Sequence, residues 1–340
     1  MRFISRTLCL VLLAFFTLPL VTARAADAPP ASDAKPVGKK LIIFISGTPS
    51  HEWGGHEARA GCYLLAKCLE ENMGDKIATK VYTGGWPKEP NALDGADAVV
   101  MYADGGNGHM VLKHLDELDA LAKKGVGIGC IHYAVEPGDE KGNPNGRAEF
   151  LRWIGGYFET FFSINPMWVA DYKDLPKHPV TNGVRPFRTH DEWYYHMRFR
   201  ENMQGVTPIL SAVPPDATRQ GPINAHNGNP AVREGIGKNI AETTVWVSEN
   251  GPDYSDGRGF GCSGGHVHWN WAQDDFRKTI LNCIVWIAHV EVPADGVASK
   301  TPTVDDLLAN MDSPPKKVPA NFSKDAKQKE LDLLNRRDNP

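Results

Sequence analysis

The sequence predicts a mixed α/β fold in which a mostly parallel sheet is covered by helices on both faces. Its strand-like segments are continuous apolar runs rather than alternating ones, which is typical of strands buried on both sides. These runs are interleaved with segments of helical periodicity, an order that favours parallel strands joined by helices. The chain of 340 residues, 41% of them hydrophobic, is long enough to bury a sizeable core.

The first half of the chain contains four strand-like runs and two helical segments. The runs read KKLIIFISG, IATKVYTG, ADAVVMYAD and VGIGCIH. The spacing of Ala60, Leu64, Cys68 and Leu69 predicts a helix over 56–73. A second helix is predicted in VLKHLDELDALAKKG, where apolar residues recur every three or four positions and Lys-Lys-Gly forms a stop signal.

The second half is less regular. PMWVADYK, VTPILSAV and ETTVWVSEN are strand-like runs between loops rich in Pro, Asn and Gly, and they extend the sheet or form a side layer. DDFRKTILNCIVWIAHV is predicted to form the closing helix, because its apolar residues share one face and two acidic residues suit its first turn. Residues 293–340 are polar, and we predict a tail with one weak helix near VDDLLANM.

The N-terminus has the features of a secretory signal peptide. Arg2 and Arg6 precede the apolar run LCLVLLAFFTLPLV, and TARA offers a small-residue cleavage pattern. The run is shorter than the roughly 20 residues that a membrane-spanning helix needs, and no later segment is apolar enough to span. We therefore predict a signal peptide over 1–25, a linker over 26–37, one domain over 38–292, and export to the periplasm or the medium.

Charge and cysteine usage argue against two classes of protein. Removal of the leader takes away three arginines and no acidic residue, which makes the formal charge of −4 more negative and argues against a nucleic-acid partner. Five scattered cysteines remain without any C-x-x-C spacing, so no disulfide framework is predicted. Cys130 and Cys283 are predicted to be small core residues.

Histidines and carboxylates follow several of the predicted strands. In an open parallel sheet, ligands collect at the carboxyl ends of the strands, so polar residues at these ends are functional candidates. The residues that follow the first, third and fourth strands are His51, Glu52 and His56, then Asp104 and His109, then His132.

Two further clusters lie later in the chain. The segment HPVTNGVRPFRTHDEWYYHM contributes His178, His190, Asp191, Glu192, Tyr194 and His196, and DGRGFGCSGGHVHWNW contributes His266 and His268. Brought together, such groups can bind a metal, transfer protons or hydrogen-bond a polyol. Spacing leaves all three roles open, because the residues come from distant segments without a short ligand motif such as H-E-x-x-H.

In their order and spacing, four motifs resemble the trehalose-utilisation (ThuA-like) family. They are SGTPSHEWGGHE, GVGIGCIHYA, HPVTNGV followed by DEWYY, and GRGFGCSGGH before WIAHV. The similarity covers roughly residues 39–292, which makes 38–292 the ThuA-like domain. It implies a flavodoxin-like, class I glutamine amidotransferase-like three-layer sandwich. The loop YADGGNGHM and the tail from VPADGV are similar to an exported branch of the family.

The resemblance also implies that glutaminase chemistry is absent. In an amidotransferase the fourth strand leads into a Gly-x-Cys-x-Gly elbow that presents a nucleophilic cysteine. Here Cys130 lies within the strand-like run and His132 takes the position of the turn. We therefore do not expect a glutamine amidotransferase, nor a catalytic Cys130.

The substrate that the resemblance implies is a sugar, such as a trehalose-like glycoside or a 3-keto-glycoside made by a companion sugar oxidoreductase. A ketone acidifies the adjacent C–H bond, so a base can start elimination of the glycosidic group while a metal or an imidazolium stabilises the enolate. The predicted catalytic residues, and the predicted ligands of one zinc-like divalent ion, are His132, Glu192 and His266. The predicted substrate-binding residues are His51, His56, Asp191, Tyr194 and Trp53.

Two functions therefore follow from the sequence. One is an exported enzyme that processes glycosides or 3-keto-glycosides by acid–base chemistry; the other is a non-catalytic carbohydrate-binding protein of the same fold. A His132→Ala variant of the enzyme would lose turnover with little change in ground-state binding, whereas the binding protein would show only lost affinity. A third function, a scaffold for a partner protein, requires the strand-end histidines to be dispensable.

Overall fold

A computed structural model describes residues 38–139, 145–249 and 256–336, so the predicted signal peptide and linker lie outside the described residues. These residues form eleven strands: β1 (Lys40–Ser46), β2 (Ile77–Tyr82), β3 (Ala98–Tyr102), β4 (Gly127–Ile131), β5 (Gly156–Tyr157), β6 (Met167–Tyr172), β7 (Phe187–Glu192), β8 (Arg198–Phe199), β9 (Val206–Ala212), β10 (Glu242–Glu249) and β11 (Arg258–Cys262).

Seven of these strands form the central sheet, in the order β2-β1-β3-β4-β11-β10-β9. The five strands from β2 to β11 run parallel, whereas β10 and β9 are antiparallel to their neighbours. Every residue of β3 and β4 is buried, as their continuous apolar sequences predicted. The predicted α/β fold with a mostly parallel sheet is therefore confirmed.

The same residues form seven α-helices: α1 (Ala58–Met73), α2 (Leu115–Ala122), α3 (Arg147–Trp153), α4 (Pro230–Arg233), α5 (Asp274–Ile287), α6 (Val304–Leu308) and α7 (Lys324–Leu334). Alternate side chains of the strands point to opposite faces of the sheet. Ile42 and Phe44 of β1 therefore join a core with α1 and α5, whereas Ile43 and Ile45 join a second core with α2 and α3. The sheet is thus covered on both faces.

A separate hairpin carries part of the site. Strands β6 and β7 pair antiparallel to each other outside the central sheet, with Trp168 opposite Asp191 and Met167 opposite Glu192. Alternate residues of β6 are buried, so one face of the hairpin packs against the core. This packing places the end of β7 at the functional site. The sequence predicted β6 but not β7, because FRTHDE contains a single apolar residue.

The C-terminal residues contain more structure than their composition predicted. The sequence predicts one weak helix there, and the structure has two, α6 and α7. Helix α7 was missed because only Leu331 of its eleven residues is buried, so its sequence lacks an apolar face. Among the described residues, no helix is both long enough and apolar enough to cross a membrane.

Candidate functional site

Five polar residues meet at the carboxyl ends of the strands. His132 is the first residue after β4, Asp104 is the second after β3, and His266 is the fourth after β11. His56 lies in the loop between β1 and α1, and Glu192 is the last residue of β7. This is the edge of a parallel sheet at which ligands bind in open α/β folds, as the sequence analysis expected.

His132 is held in one tautomer by the backbone. Its Nδ1 lies 2.9 Å from the carbonyl oxygen of Ser263, which can only accept a hydrogen bond. The proton of the neutral ring is therefore on Nδ1, and Nε2 carries a lone pair. Burial lowers the pKa of His132 well below its usual range, and the neighbouring His56 lowers it further, so the ring is neutral near pH 7.

His56 is held in the corresponding tautomer by a carboxylate. Its Nδ1 lies 2.7 Å from Asp104 Oδ1, so this nitrogen carries the proton and donates it. Burial alone would raise the pKa of Asp104, but hydrogen bonds from His56 and Ser50 lower it below the usual range. His56 Nε2 then faces His132 Nε2 at a distance of 2.9 Å. With both rings neutral, the two Nε2 atoms would present lone pairs to each other, so this contact requires a shared proton or a cation.

Glu192 lies between His266 and His132. Its Oε2 lies 3.1 Å from His266 Nδ1 and 3.5 Å from His132 Nε2. Burial would lower the pKa of His266, but the carboxylate of Glu192 raises it above its usual value. His266 Nδ1 is nevertheless a buried atom without a hydrogen bond of good geometry, so its contact with Glu192 is an ion-pair contact.

These four residues form what we call the donor cluster: His56, His132, Glu192 and His266. One ligand atom of each lies within 4.8 Å of the corresponding atoms of the other three. Imidazole nitrogens with a carboxylate oxygen are a donor set that suits zinc and related divalent ions. The hydrogen bond from His56 to Asp104 is of the kind that orients a ligating histidine from outside the metal's own shell. The residues therefore fit a divalent metal.

Asp191, predicted to bind substrate, is fully buried and bonds to backbone groups. Its Oδ2 accepts from the N–H of Gly265 at 2.8 Å, and its Oδ1 accepts from the N–H of Val267 at 3.0 Å. Burial raises the pKa of Asp191, although these hydrogen bonds act in the opposite direction. Because the two donors flank His266, this geometry favours an anchoring role for Asp191 over contact with substrate.

The other predicted substrate-binding residues occupy different surroundings. The hydroxyl of Tyr194 lies 3.4 Å from both His132 Nε2 and Glu192 Oε2, so Tyr194 lines the donor cluster. His51 is exposed and stacks on the ring of His56, with 3.6 Å between ring centroids. Trp53 instead packs against Trp269 and Phe322 in edge-on contacts.

Cys130 lies within β4 and is fully buried. Burial raises the pKa of its thiol far above that of a free cysteine, so the thiolate that a nucleophile requires is not formed near neutral pH. His109, which the sequence analysis placed among the strand-end candidates, is also buried. Its Nε2 donates to the carbonyl of Ala134 and its Nδ1 accepts from the N–H of Val111, which is a structural role.

Several residues of the site were missed by the sequence analysis. Asn165 donates from Nδ2 to Glu192 Oε1 at 3.1 Å, and Ser263 supplies the carbonyl that fixes the tautomer of His132. Lys316, from the predicted tail, donates to the backbone carbonyls of Gly55 and His56. Asn165 and Lys316 stand in no motif, and Ser263, although it lies in GRGFGCSGGH, acts through its backbone carbonyl, for which the residue type gives no signal.

The fold and the donor cluster together define a mixed α/β protein with a histidine- and carboxylate-lined site at the ends of its parallel strands. The chain belongs to the ThuA family, because the family model described as "Trehalose utilisation" matches residues 42–287. The resemblance inferred from the four motifs is thereby confirmed. The description of the family relates the chain to carbohydrate use.

Solved structures with similar folds include two ThuA-like proteins. The one from Bacteroides uniformis is 14% identical over 78% of this chain and 95% of its own, with a TM-score of 0.49. The one from Parabacteroides merdae is 16% identical over 78% of this chain and 93% of its own, with a TM-score of 0.46. A glutamine amidotransferase from Thermotoga maritima is 9% identical over 73% and 98%, with a TM-score of 0.39. Comparison with curated proteins finds no match.

Proposed function

We propose that the protein is an exported enzyme that eliminates the glycosidic group from a 3-keto-glycoside, using acid–base chemistry assisted by one divalent metal ion. The sugar class is supported by the family description, "Trehalose utilisation". A companion sugar oxidoreductase supplies the 3-ketone, which acidifies the neighbouring C–H bond. Without the ketone, that proton is too weakly acidic for a side-chain base.

The observation that carries the metal is the distance of 2.9 Å between His56 Nε2 and His132 Nε2. Because the Nδ1 of each ring already donates a proton to an oxygen acceptor, both Nε2 atoms of the neutral rings are lone pairs. A proton shared by the two rings or a metal ion between them removes the repulsion of two facing lone pairs. Full burial of His132 disfavours a positive charge on its own ring, and the Glu192 carboxylate beside it supplies a third ligand for a metal ion.

The residues that would hold the ion are His56, His132 and Glu192. Bound there, a divalent ion supplies a Lewis acid that polarises a carbonyl oxygen and stabilises an enolate. Three protein ligands leave a position open for substrate, as in catalytic zinc sites. Asp104 and Asn165 orient His56 and Glu192 through their hydrogen bonds.

His266 is the proposed proton-transfer residue. In the neutral tautomer that keeps its proton on Nδ1, 3.1 Å from the Glu192 carboxylate, the ring carries a lone pair on Nε2. This nitrogen takes the proton from the carbon between the ketone and the glycosidic carbon, which forms the enolate. As the glycosidic C–O bond breaks and a C=C bond forms, the same imidazolium returns the proton to the departing oxygen. The products are an unsaturated ketone and an alcohol, with no net proton consumed.

The Glu192 carboxylate raises the pKa of His266, which stabilises the imidazolium formed when the ring accepts the substrate proton. Space for a substrate beside it is provided by Gly55. A Cβ atom at this glycine would lie 3.3 Å from His266 Nε2, so any side chain there would occupy the position in front of the base.

The first experiment is metal analysis of the protein purified without a histidine tag or chelator and incubated with zinc. We expect about one equivalent per chain, as for a single zinc site. The His132→Ala variant should bind little metal. His190→Ala, an exposed histidine on β7, is the matched control and should bind as much as the wild type. Absence of metal from the wild type under these conditions would overturn the metal-assisted mechanism.

The second experiment measures turnover of a 3-keto-glycoside through release of the alcohol and formation of the unsaturated ketone. His266→Gln should retain its metal while kcat falls by about 10²-fold or more, the typical contribution of a general base. A wild-type protein that binds the glycoside tightly but never converts it would instead be the carbohydrate-binding protein that the sequence analysis also considered.

Export is tested separately. The predicted leader ends at Ala25, so the N-terminus of the protein recovered outside the cytoplasm should be Ala26. Recovery of the full-length chain in the cytoplasm alone would contradict export and leave the proposed chemistry intact.

A further inference from the structure

The loop that carries His56 is held by the C-terminal part of the chain. Lys316 is almost fully buried, and its Nζ donates to the carbonyl of Gly55 at 2.6 Å and to the carbonyl of His56 at 3.2 Å. Lysine side chains are rarely buried unless they are paired. Its nearest ion-pair partner is Glu57, whose Oε1 lies 3.4 Å from Nζ and whose side chain is fully buried, and Asp312 Oδ2 lies 4.0 Å from Nζ.

Glu57 ties the same two segments together a second time. Its Oε1 accepts from the N–H of Gly54 at 3.0 Å, and its Oε2 accepts from the N–H of Asp312 at 2.9 Å. The segment 312–316 is therefore fastened to 54–57 by an ion pair and by hydrogen bonds from both sides. These contacts join parts of the chain that are more than 250 residues apart.

His56 requires such support, because its backbone is strained. Its φ angle is +45°, in the left-handed region that L-residues other than Gly rarely adopt. Residues in this region persist only where their surroundings hold them in place. The N–H of His56 donates to the carbonyl of His266 at 3.1 Å, and Lys316 holds the carbonyl on the other side of the same residue.

We infer that Lys316 is a positioning residue, which holds the backbone of His56 so that its imidazole lies between Asp104 and His132. The C-terminal segment 312–316 is then part of the functional site rather than a tail. This inference rests on the proposed function for its metal readout, whereas its structural readout, the tautomer of His56, does not depend on a metal.

The test compares three variants of the complete chain. Lys316→Met removes the ammonium group but leaves the Glu57 carboxylate buried without its ion pair, which destabilises the fold. The double variant Lys316→Met/Glu57→Gln removes both charges of the pair but loses one of the two backbone hydrogen bonds that Glu57 accepts, so the single variant Glu57→Gln is measured beside it. The control is Lys324→Met, an exposed lysine of α7 that pairs with the exposed Asp305 and with no member of the donor cluster.

Two quantities are measured on each folded variant. The first is the tautomer of His56 in the metal-free protein, from the nitrogen chemical shifts of its ring. We expect a protonated Nδ1, hydrogen-bonded to Asp104, in the wild type and in Lys324→Met, and a mixture of Nδ1-protonated and Nδ1-unprotonated rings in the double variant. The second is zinc affinity, which should fall about 10- to 100-fold in the double variant, as for lost outer contacts of a metal ligand.

The outcomes separate this inference from the proposed function. A mixed tautomer in the double variant of a protein that binds no zinc would support the positioning role and contradict the metal. A double variant that keeps the wild-type tautomer and the wild-type zinc affinity would overturn the role of Lys316.

Discussion

His56 and His132 face each other through Nε2 atoms that are 2.9 Å apart. The Nδ1 atom of each ring donates to an oxygen acceptor on the other side. The arrangement depends on Asp104 and on the carbonyl of Ser263, which can accept hydrogen bonds but not donate them. The Nδ1 proton of each ring is thus fixed from outside the donor cluster, and the two Nε2 atoms face each other inside it.

The first prediction concerns Asp104→Asn. An amide can offer His56 either an acceptor or a donor, so the tautomer is no longer fixed and Nε2 can carry a proton directed at His132. We expect zinc affinity to fall about 10- to 100-fold, measured by competition with a chelating dye. Asp171→Asn, which changes a surface carboxylate paired with Lys173, should leave the affinity unchanged. Equal affinities of the two variants would show that Asp104 does not control the ligand.

The second prediction concerns the cysteines. Cys62, Cys68, Cys130, Cys262 and Cys283 are all free and buried, and burial raises the pKa of each thiol. None should react with a thiol reagent in native buffer, whereas all should react in denaturant. Cys130→Ala should cost about 1 kcal/mol of stability by leaving a small cavity, and should leave turnover and metal content unchanged. Rapid native alkylation of Cys130 with loss of turnover would contradict this.

The sequence predicted the central sheet well because its signal is local. Strands β1, β3 and β4 are short apolar runs bounded by Gly or polar residues, and such runs identify buried strands wherever they occur. Strand β7 gave no such signal. Thr189 and Asp191 are buried in it although they are polar, so its alternation of buried and exposed residues is invisible in a hydrophobicity pattern.

The donor cluster was only partly predictable for a different reason. The positions of His132 and His266 after strand-like segments identified them as candidates, Glu192 was identified in the DEWYY segment, and the structure brings all three together. His56 was expected to bind substrate or to support ligation or proton transfer, and its pairing with Asp104 could not be inferred, because the two residues are 48 positions apart. The burial of Lys316 could not be predicted, because a lysine in a polar, proline-rich segment is normally exposed to solvent.

The third prediction is that the titration of His109 makes the free energy of unfolding depend on pH. Burial lowers the pKa of His109 to about 4, partly offset by the hydrogen bond to Ala134. A histidine with a lowered pKa in the native state binds fewer protons than in the unfolded state, where its pKa is about 6.5. The contribution of neutral His109 to the free energy of unfolding is therefore fully present above pH 6.5, and it is lost as the pH falls from 6.5 towards 4.

For this one residue the loss between pH 7 and pH 5 is about 2 kcal/mol. His109→Gln has no group that titrates in this range, so the difference in unfolding free energy between the two pH values should shrink by about that amount. The measurement is urea unfolding of both metal-free proteins at each pH. An unchanged difference would show that His109 is protonated in the native state or exposed before unfolding.

The fourth prediction tests the space in front of His266. The φ of Gly55 lies outside the left-handed region, so alanine fits its backbone, but the added Cβ would lie 3.3 Å from His266 Nε2. We expect Gly55→Ala to bind metal like the wild type and to raise KM for the 3-keto-glycoside about tenfold or more, because the methyl group occupies the position of the substrate carbon. Gly108→Ala is the matched control, since no atom lies within 4 Å of its added Cβ.

The two glycine variants separate a steric effect from a loss of the site. If Gly55→Ala lost metal together with turnover, the substitution would have displaced the loop that carries His56, and the steric prediction would be contradicted. If it retained metal and wild-type KM, the substrate would approach from another side and His266 could not take the proposed proton. Only retained metal with a raised KM places the reacting carbon between Gly55 and His266, as the elimination requires.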